Sequence, residues 1–175
     1  SIPGGEPLIH KDIVQIVEGI LRRKKFVYLC TNGLLLEKRL DKFSPSPYLT
    51  FSVHLDGLRE HHDLAVNQEG TFEIATRAIR KAKEMGFRVN VACTLFDQMS
   101  SEEAASFFDF CTNDLKVEGI TVSPGYAYER APDQEHFLSR RKTKQLFRDI
   151  FSKSGSKSWK FGQSTLFLDF LAGNQ

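Results

Sequence analysis

The chain has 175 residues, of which 41% are hydrophobic and 26% charged, with 24 Lys and Arg against 22 Asp and Glu. That is the composition of a soluble, cored domain; it excludes a disordered or fibrous chain, and a net charge of +2 gives no push toward nucleic acid. No run approaches the roughly 18 apolar residues of a membrane span, and Ser1-Ile2-Pro3 carries no basic-then-apolar signal, so the expected location is cytoplasmic. Cys30, Cys93 and Cys111 are odd in number and widely spaced, which suits reduced thiols rather than a disulfide framework or a CxxC metal clamp.

In chain order, Ser1-Ile2 reads as the end of a strand running into Pro3-Gly4-Gly5, as if the chain were a fragment of something longer. Ile13, Ile16, Val17, Ile20 and Leu21 recur at helical spacing, and the basic residues 22–25 suit the end of that helix. The apolar run 26–30 predicts a buried strand, 34–40 a short helix and 48–55 a second strand. Ile74, Ala75, Ala78, Ile79 and Ala82 form a helical stripe that Gly86 closes before a strand at 87–95. Ser100 with Glu103 fits a capping box for a helix burying Phe107, Phe108 and Cys111; a strand at 119–123 follows, then a helix over roughly 133–151 and a polar turn at 152–158. Strands each followed by a helix demand a parallel sheet with right-handed crossovers, either doubly wound or part of a (β/α) barrel. In both, chemistry gathers at the C-terminal ends of the strands.

Those ends carry Gly4-Gly5-Glu6-Pro7, Cys30-Thr31-Asn32-Gly33, Ser52-Val53-His54-Leu55-Asp56-Gly57, Cys93-Thr94 and Ser123-Pro124-Gly125-Tyr126. Two glycines let a backbone approach a small ligand, an adjacent Glu suits an ammonium group, and alternation puts Ser52, His54 and Asp56 on one side of their strand. His54, His61, His62, Asp56 and Asp63 hold metal-ligating chemistry, but His61 and His62 diverge on either a helix or a strand.

Together with His62-Asp63 and Gly70-Thr71-Phe72, these motifs in this order resemble the radical S-adenosylmethionine enzymes. More closely, residues 28–32, 51–57 and especially 123–134 are similar to the adenosylhopane synthases of hopanoid biosynthesis, over essentially the whole chain. The resemblance implies a fragment of a partial (β/α)6 TIM-like barrel: residues 1–132 the core, lacking its first β/α unit, and residues 133–175 the start of a C-terminal extension. It implies that Gly4, Gly5, Glu6 and Pro7 bind S-adenosylmethionine, with Asn32, Ser52, His54 and Asp56 near it, and that Ser123, Tyr126, Glu129 and Arg130 meet the substrate. The sequence departs from the family's pattern in His54, where Ser is usual, in Ala92, and in having no CxxxCxxC loop for a 4Fe-4S cluster, whose cysteines are expected upstream. Such a chain alone would be inactive.

In that family a 5′-deoxyadenosyl radical adds to the alkene of a hopene lipid, and a thiol can quench the resulting carbon radical; Cys30 is the candidate hydrogen-atom donor. A reductase or flavodoxin is the implied electron donor. Phenylalanines could line a lipid groove, and the basic run Arg140 to Lys160 suits either a solvated helix face or peripheral contact with an anionic membrane. The competing readings are a radical enzyme acting on a peptide or small molecule, a phosphate-binding barrel such as an aldolase, against which stands the absence of Lys inside any predicted strand, and a non-catalytic binding module.

Overall fold

The computed structural model describes residues 1–126 and 136–174. Four parallel strands, β1 (Val27–Thr31), β2 (Leu49–His54), β3 (Arg88–Leu95) and β4 (Gly119–Pro124), lie side by side in chain order. The connections carry α1 (Ile13–Leu21) before β1, α2 (Leu36–Arg39), α3 (Arg59–Ala65) and α4 (Thr71–Glu84) around β2, α5 (Ser101–Asp109) after β3, and α6 (Arg140–Ser152) and α7 (Thr165–Leu171) after β4.

The two faces of the sheet differ in chemistry. Leu29, Phe51, Val53, Val89, Val91, Leu95, Ile120 and Val122 are sealed under the helices. The alternate residues are Cys30, Ser52, His54, Asn90, Ala92, Thr121 and Ser123, polar or small and in part open. A doubly wound sheet is apolar on both faces, so this one-sided pattern identifies the wall of a partial barrel, with the polar face as its lumen. Register sets the lumen in rows: Cys30, Ser52, Asn90 and Gly119 are successive partners, and so are His54, Ala92 and Thr121.

The sheet extends at both edges. Ile2 bridges to β1, its N–H donating to the Tyr28 carbonyl at 2.8 Å while Cys30 N–H donates to the Ile2 carbonyl at 3.2 Å. Beyond β4, Phe161 bridges Ile120, and the Gln163 side chain pairs with both backbone groups of Val122, accepting from its N–H and donating to its carbonyl. A side-chain amide thus completes the ladder where the chain turns away, which protects an edge otherwise open to pairing.

The helices begin as their residues dictate. Ser100 and Glu103 form the reciprocal capping box of α5. The helix expected over 133–151 begins at Arg140 behind the Ser139 cap, residues 127–135 lying outside the described residues, and α7 was not anticipated. Asp63 caps α4 from another element: its carboxylate accepts from Gly70 N, Thr71 Oγ1 and Phe72 N at 2.7–2.8 Å. Burial works against ionisation of Asp63, but these three donors hold its pKa below the ordinary carboxylate value. Its contribution is therefore present above the unfolded carboxyl pKa and lost as pH falls through the depressed folded value. Asp63→Ala is expected to lower stability by about 1–2 kcal/mol, measured by urea unfolding at neutral pH, with Asp63→Asn costing less.

The basic run on α6 has a structural use. Its Thr143, Leu146, Phe147 and Ile150 side is buried in the core, so the apolar face that a bilayer would need is turned inward. Lys142 pairs with Asp97 at 2.5 Å, Lys153 with Glu102 at 3.0 Å and Lys157 with Asp109 at 2.6 Å, while Arg148 donates to the Ala172 carbonyl at the end of α7. The run complements the acids of the β3–α5 unit. No helix among the described residues is long and apolar enough to cross a membrane.

Candidate active site

The site is assembled from the strand ends. Gly4 has φ +145°, a conformation L side chains rarely adopt, and a Cβ built on Gly4 or Gly5 would meet no protein atom within 4 Å. Packing within the chain therefore does not explain Gly5; the open space beside it is where a ligand could approach the backbone. Pro7 opens a single 3-10 turn (Pro7–Ile9), a position where its missing N–H costs nothing, and Glu6 caps that turn.

Glu6 ties the loop to the end of β1. One carboxylate oxygen accepts from Leu8 N at 3.0 Å, the other from Asn32 N at 2.8 Å, and Thr31 Oγ1 lies 3.0 Å from both. A carboxylate has about four acceptor sites, so three donors leave one, and the charge stays available to an ammonium group. The Asn32 side chain is partly committed, its Oδ1 accepting from Leu34 N at 3.0 Å.

Around the lumen, Cys30 and Ser52 are paired in register. Burial raises the Cys30 pKa, with the nearby amino terminus opposing, so the residue stays a thiol at neutral pH. His54 Nε2 lies 2.8 Å from Asp56 Oδ2. Asp56 departs from the expected alternation: β2 ends at His54, and Asp56 is 4% exposed behind it, its Oδ1 accepting from Thr94 N at 2.7 Å. It faces His54 rather than the open lumen. His62, which the sequence marks only for metal-ligating chemistry and for the His62-Asp63 motif, is buried on α3 and accepts from Asp56 N through Nδ1 at 3.2 Å. Nothing local marks that contact, because it depends on α3 folding back over the end of β2.

The hydrogen bond to Asp56 raises the His54 pKa against the opposing effect of burial, whereas burial, and then His54 itself, lower that of His62. The stability His54 contributes is thus complete below the ordinary imidazole value of about 6.5 and lost as pH rises through its raised pKa. That of His62 has the opposite sign, present above about 6.5 and lost as pH falls.

Ser123 is exposed on the lumen face and Tyr126 is 46% exposed beyond β4; Glu129 and Arg130 lie outside the described residues. Beside Asp56, between α3 and the loop after β3, is a cavity of about 360 Å³ whose lining includes Leu64, Phe96, Met99 and Phe137 together with His61 and Gln98. The described residues contain no group of three His, Cys, Asp or Glu side chains placed to hold a metal ion. Cys93 and Cys111 are enclosed in the core, away from the lumen face.

A family model described as the radical SAM superfamily matches residues 1–111. The chain belongs to the radical SAM superfamily. A second model, a domain of unknown function designated DUF3463, matches residues 120–175. Among curated relatives, the GTP 3′,8-cyclase of Clostridium perfringens is 23% identical over 154 residues, covering 85% of this chain and 48% of that protein. A probable GTP 3′,8-cyclase of Methanococcus maripaludis is 31% identical over 112 residues, covering 63% and 38%. Among solved structures, Streptococcus suis SuiB bound to S-adenosylmethionine superimposes with TM-score 0.80 at 16% identity, over 98% of this chain and 40% of that one. The protein anSMEcpe with bound AdoMet and a peptide gives 0.60 at 19% identity, covering 99% and 47%. At these identities the structures show the fold, the partial barrel of parallel strands with helical crossovers.

The chain spans about half the length, or less, of the relatives it matches. Membership brings S-adenosylmethionine and a 4Fe-4S cluster as cofactors. The Gly4-Gly5-Glu6 loop fits the first, with open space at Gly5 and spare acceptor capacity on Glu6. The second finds no ligand set here, for the sequence contains only three cysteines and no CxxxCxxC.

Proposed function

We propose that this chain is the S-adenosylmethionine-binding half of a radical enzyme that adds an adenosyl group to the alkene of an apolar lipid of the hopene type, the cluster cysteines being supplied by another part of the whole protein. Bound together, cluster and S-adenosylmethionine supply a 5′-deoxyadenosyl radical, whose addition to a carbon–carbon double bond forms one C–C bond and leaves one unpaired electron on the neighbouring carbon. On this reading Glu6 holds the amino group, Gly4 and Gly5 let the backbone close on the ligand, and Cys30 gives its hydrogen atom to the adduct. The thiyl radical left behind returns to the thiol by taking one electron and one proton, the electron from the same reductase or flavodoxin that serves the cluster.

The observation that carries the reading is the placement of Cys30. It is the residue before Thr31, which anchors Glu6, it lies on the lumen row with Ser52, and burial keeps it protonated. A protonated thiol donates hydrogen atoms; a thiolate does not.

The GTP cyclase relatives favour a second reading, cyclisation of a purine nucleotide. A triphosphate is recognised by several cations, and among the described residues the lumen-face positions of the four strands carry one Lys or Arg, Arg88 at the N-terminal end of β3. The mostly apolar cavity beside Asp56 further supports an uncharged substrate.

Cys30→Ala in the whole enzyme, assayed anaerobically with diploptene, is expected to lower the yield of reduced adduct at least tenfold while S-adenosylmethionine is still consumed. An unchanged yield removes Cys30 from the mechanism. Turnover of GTP with none of diploptene selects the second reading.

A further inference from the structure

We propose that Asp56 is a positioning residue that fixes the tautomer of His54, so that Nδ1 of this ring accepts a hydrogen bond from a lumen ligand when neutral and donates one when protonated. This rests on the reading of the lumen as the S-adenosylmethionine site.

The geometry leaves little choice. Asp56 is enclosed, with Thr94 N–H on one oxygen at 2.7 Å and His54 Nε2 on the other at 2.8 Å. A carboxylate only accepts, so Nε2 of His54 must carry a proton in both charge states. Nδ1 has no protein partner among the described residues, and the side chain remains 39% exposed on the lumen side of β2. Proton gain therefore occurs at Nδ1, the atom left to the lumen.

His62 acts on the second layer. It accepts the Asp56 N–H through Nδ1, so its neutral form carries the proton on Nε2, and its ring stands edge-on to His54 at 5.8 Å. The titratable groups around His54 are thus Asp56 beyond its own strand and His62 on α3; β3 meets it in register with uncharged Ala92, and β1 contributes the Cys30 thiol on the same face. The carboxylate raises the affinity of His54 for its proton, and the buried His62 stays neutral beside it.

Asp56→Asn makes a sharp test. The Thr94 N–H fixes which end of the amide is oxygen, so the amide NH₂ faces His54 Nε2 and donates to it. The neutral ring must then carry its proton on Nδ1, a donor to the lumen at every pH. Nitrogen-15 shifts of labelled histidine in the whole protein are expected to show neutral His54 protonated on Nε2 in the wild type and on Nδ1 in the variant, with the proton-uptake midpoint falling below the wild-type value. S-adenosylmethionine affinity in the wild type is expected to change about tenfold across the His54 midpoint, the worth of one charge-assisted hydrogen bond, and to lose that dependence in Asp56→Asn. A wild-type neutral ring protonated on Nδ1 overturns the proposal and needs no variant to be seen. An unaltered pH profile of affinity in the variant overturns it equally. Failure of the wild type to bind S-adenosylmethionine at any pH counts against the assigned lumen ligand, and the tautomer measurement still decides the role of Asp56.

Discussion

Glu6→Gln in the whole protein is expected to weaken S-adenosylmethionine binding about a hundredfold while leaving the fold in place. The glutamine oxygen can still accept from one of the backbone N–H groups that bind Glu6, so the turn at Pro7 and its tie to β1 persist in part. What disappears is the charge. A carboxylate that meets an ammonium group makes a charge-assisted hydrogen bond worth about 1.5–3 kcal/mol, and the amide NH₂ left in its place faces another donor. Calorimetric titration of S-adenosylmethionine into both proteins reads the loss, and circular dichroism confirms that β1 and its neighbours are intact. Equal affinities would place the amino group elsewhere.

Phe147→Ala is expected to destabilise the protein by about 3–5 kcal/mol, the largest stability effect among the substitutions considered. Phe147 is 1% exposed, packs on Phe151 one turn along α6 with ring centroids 5.7 Å apart, and belongs to the apolar face by which α6 joins the core. Lys142→Ala, on the same helix, should cost less than about 1 kcal/mol, because its pair with Asp97 is solvated. Denaturant unfolding of the two variants separates the contributions. If Lys142→Ala costs as much as Phe147→Ala, α6 is held by its charges and the buried apolar face is incidental.

The sequence made the alternation of strand and helix plain, because buried parallel strands and amphipathic helices leave different periods in the apolar residues. Ser100 with Glu103 was equally legible, since both partners of a capping box lie within four residues. The lumen face could be read from Cys30 and from Ser52 and His54, which alternate within single strands. Other features depend on contacts that no local pattern encodes. Lys142 meets Asp97, Lys157 meets Asp109 and Gln163 meets Val122 from more than forty residues away, so the partners of the basic run could not be read from the run itself. Asp56 was assigned to the lumen by extending a period of two past His54; the strand stops there, and Thr94 and His54 draw the carboxylate inward. His62 stood out as metal-ligating chemistry and in the His62-Asp63 motif, but nothing in the sequence points to its hydrogen bond with the Asp56 backbone. The resemblance supplied the superfamily, and the matched family model shows it. The hopene-type substrate stands as a proposal beside relatives named for GTP cyclisation.

The most direct test of the central claim, that the Gly4-Gly5-Glu6 loop is the S-adenosylmethionine grip of a radical enzyme, is anaerobic reduction of the whole protein after cluster reconstitution, with S-adenosylmethionine and no other substrate, followed by chromatography for 5′-deoxyadenosine. The expected result is 5′-deoxyadenosine and methionine in equal amounts from the wild type and at least tenfold less from Glu6→Gln at limiting S-adenosylmethionine. Cleavage unaffected by that substitution, or none from a protein with a complete cluster, would contradict it.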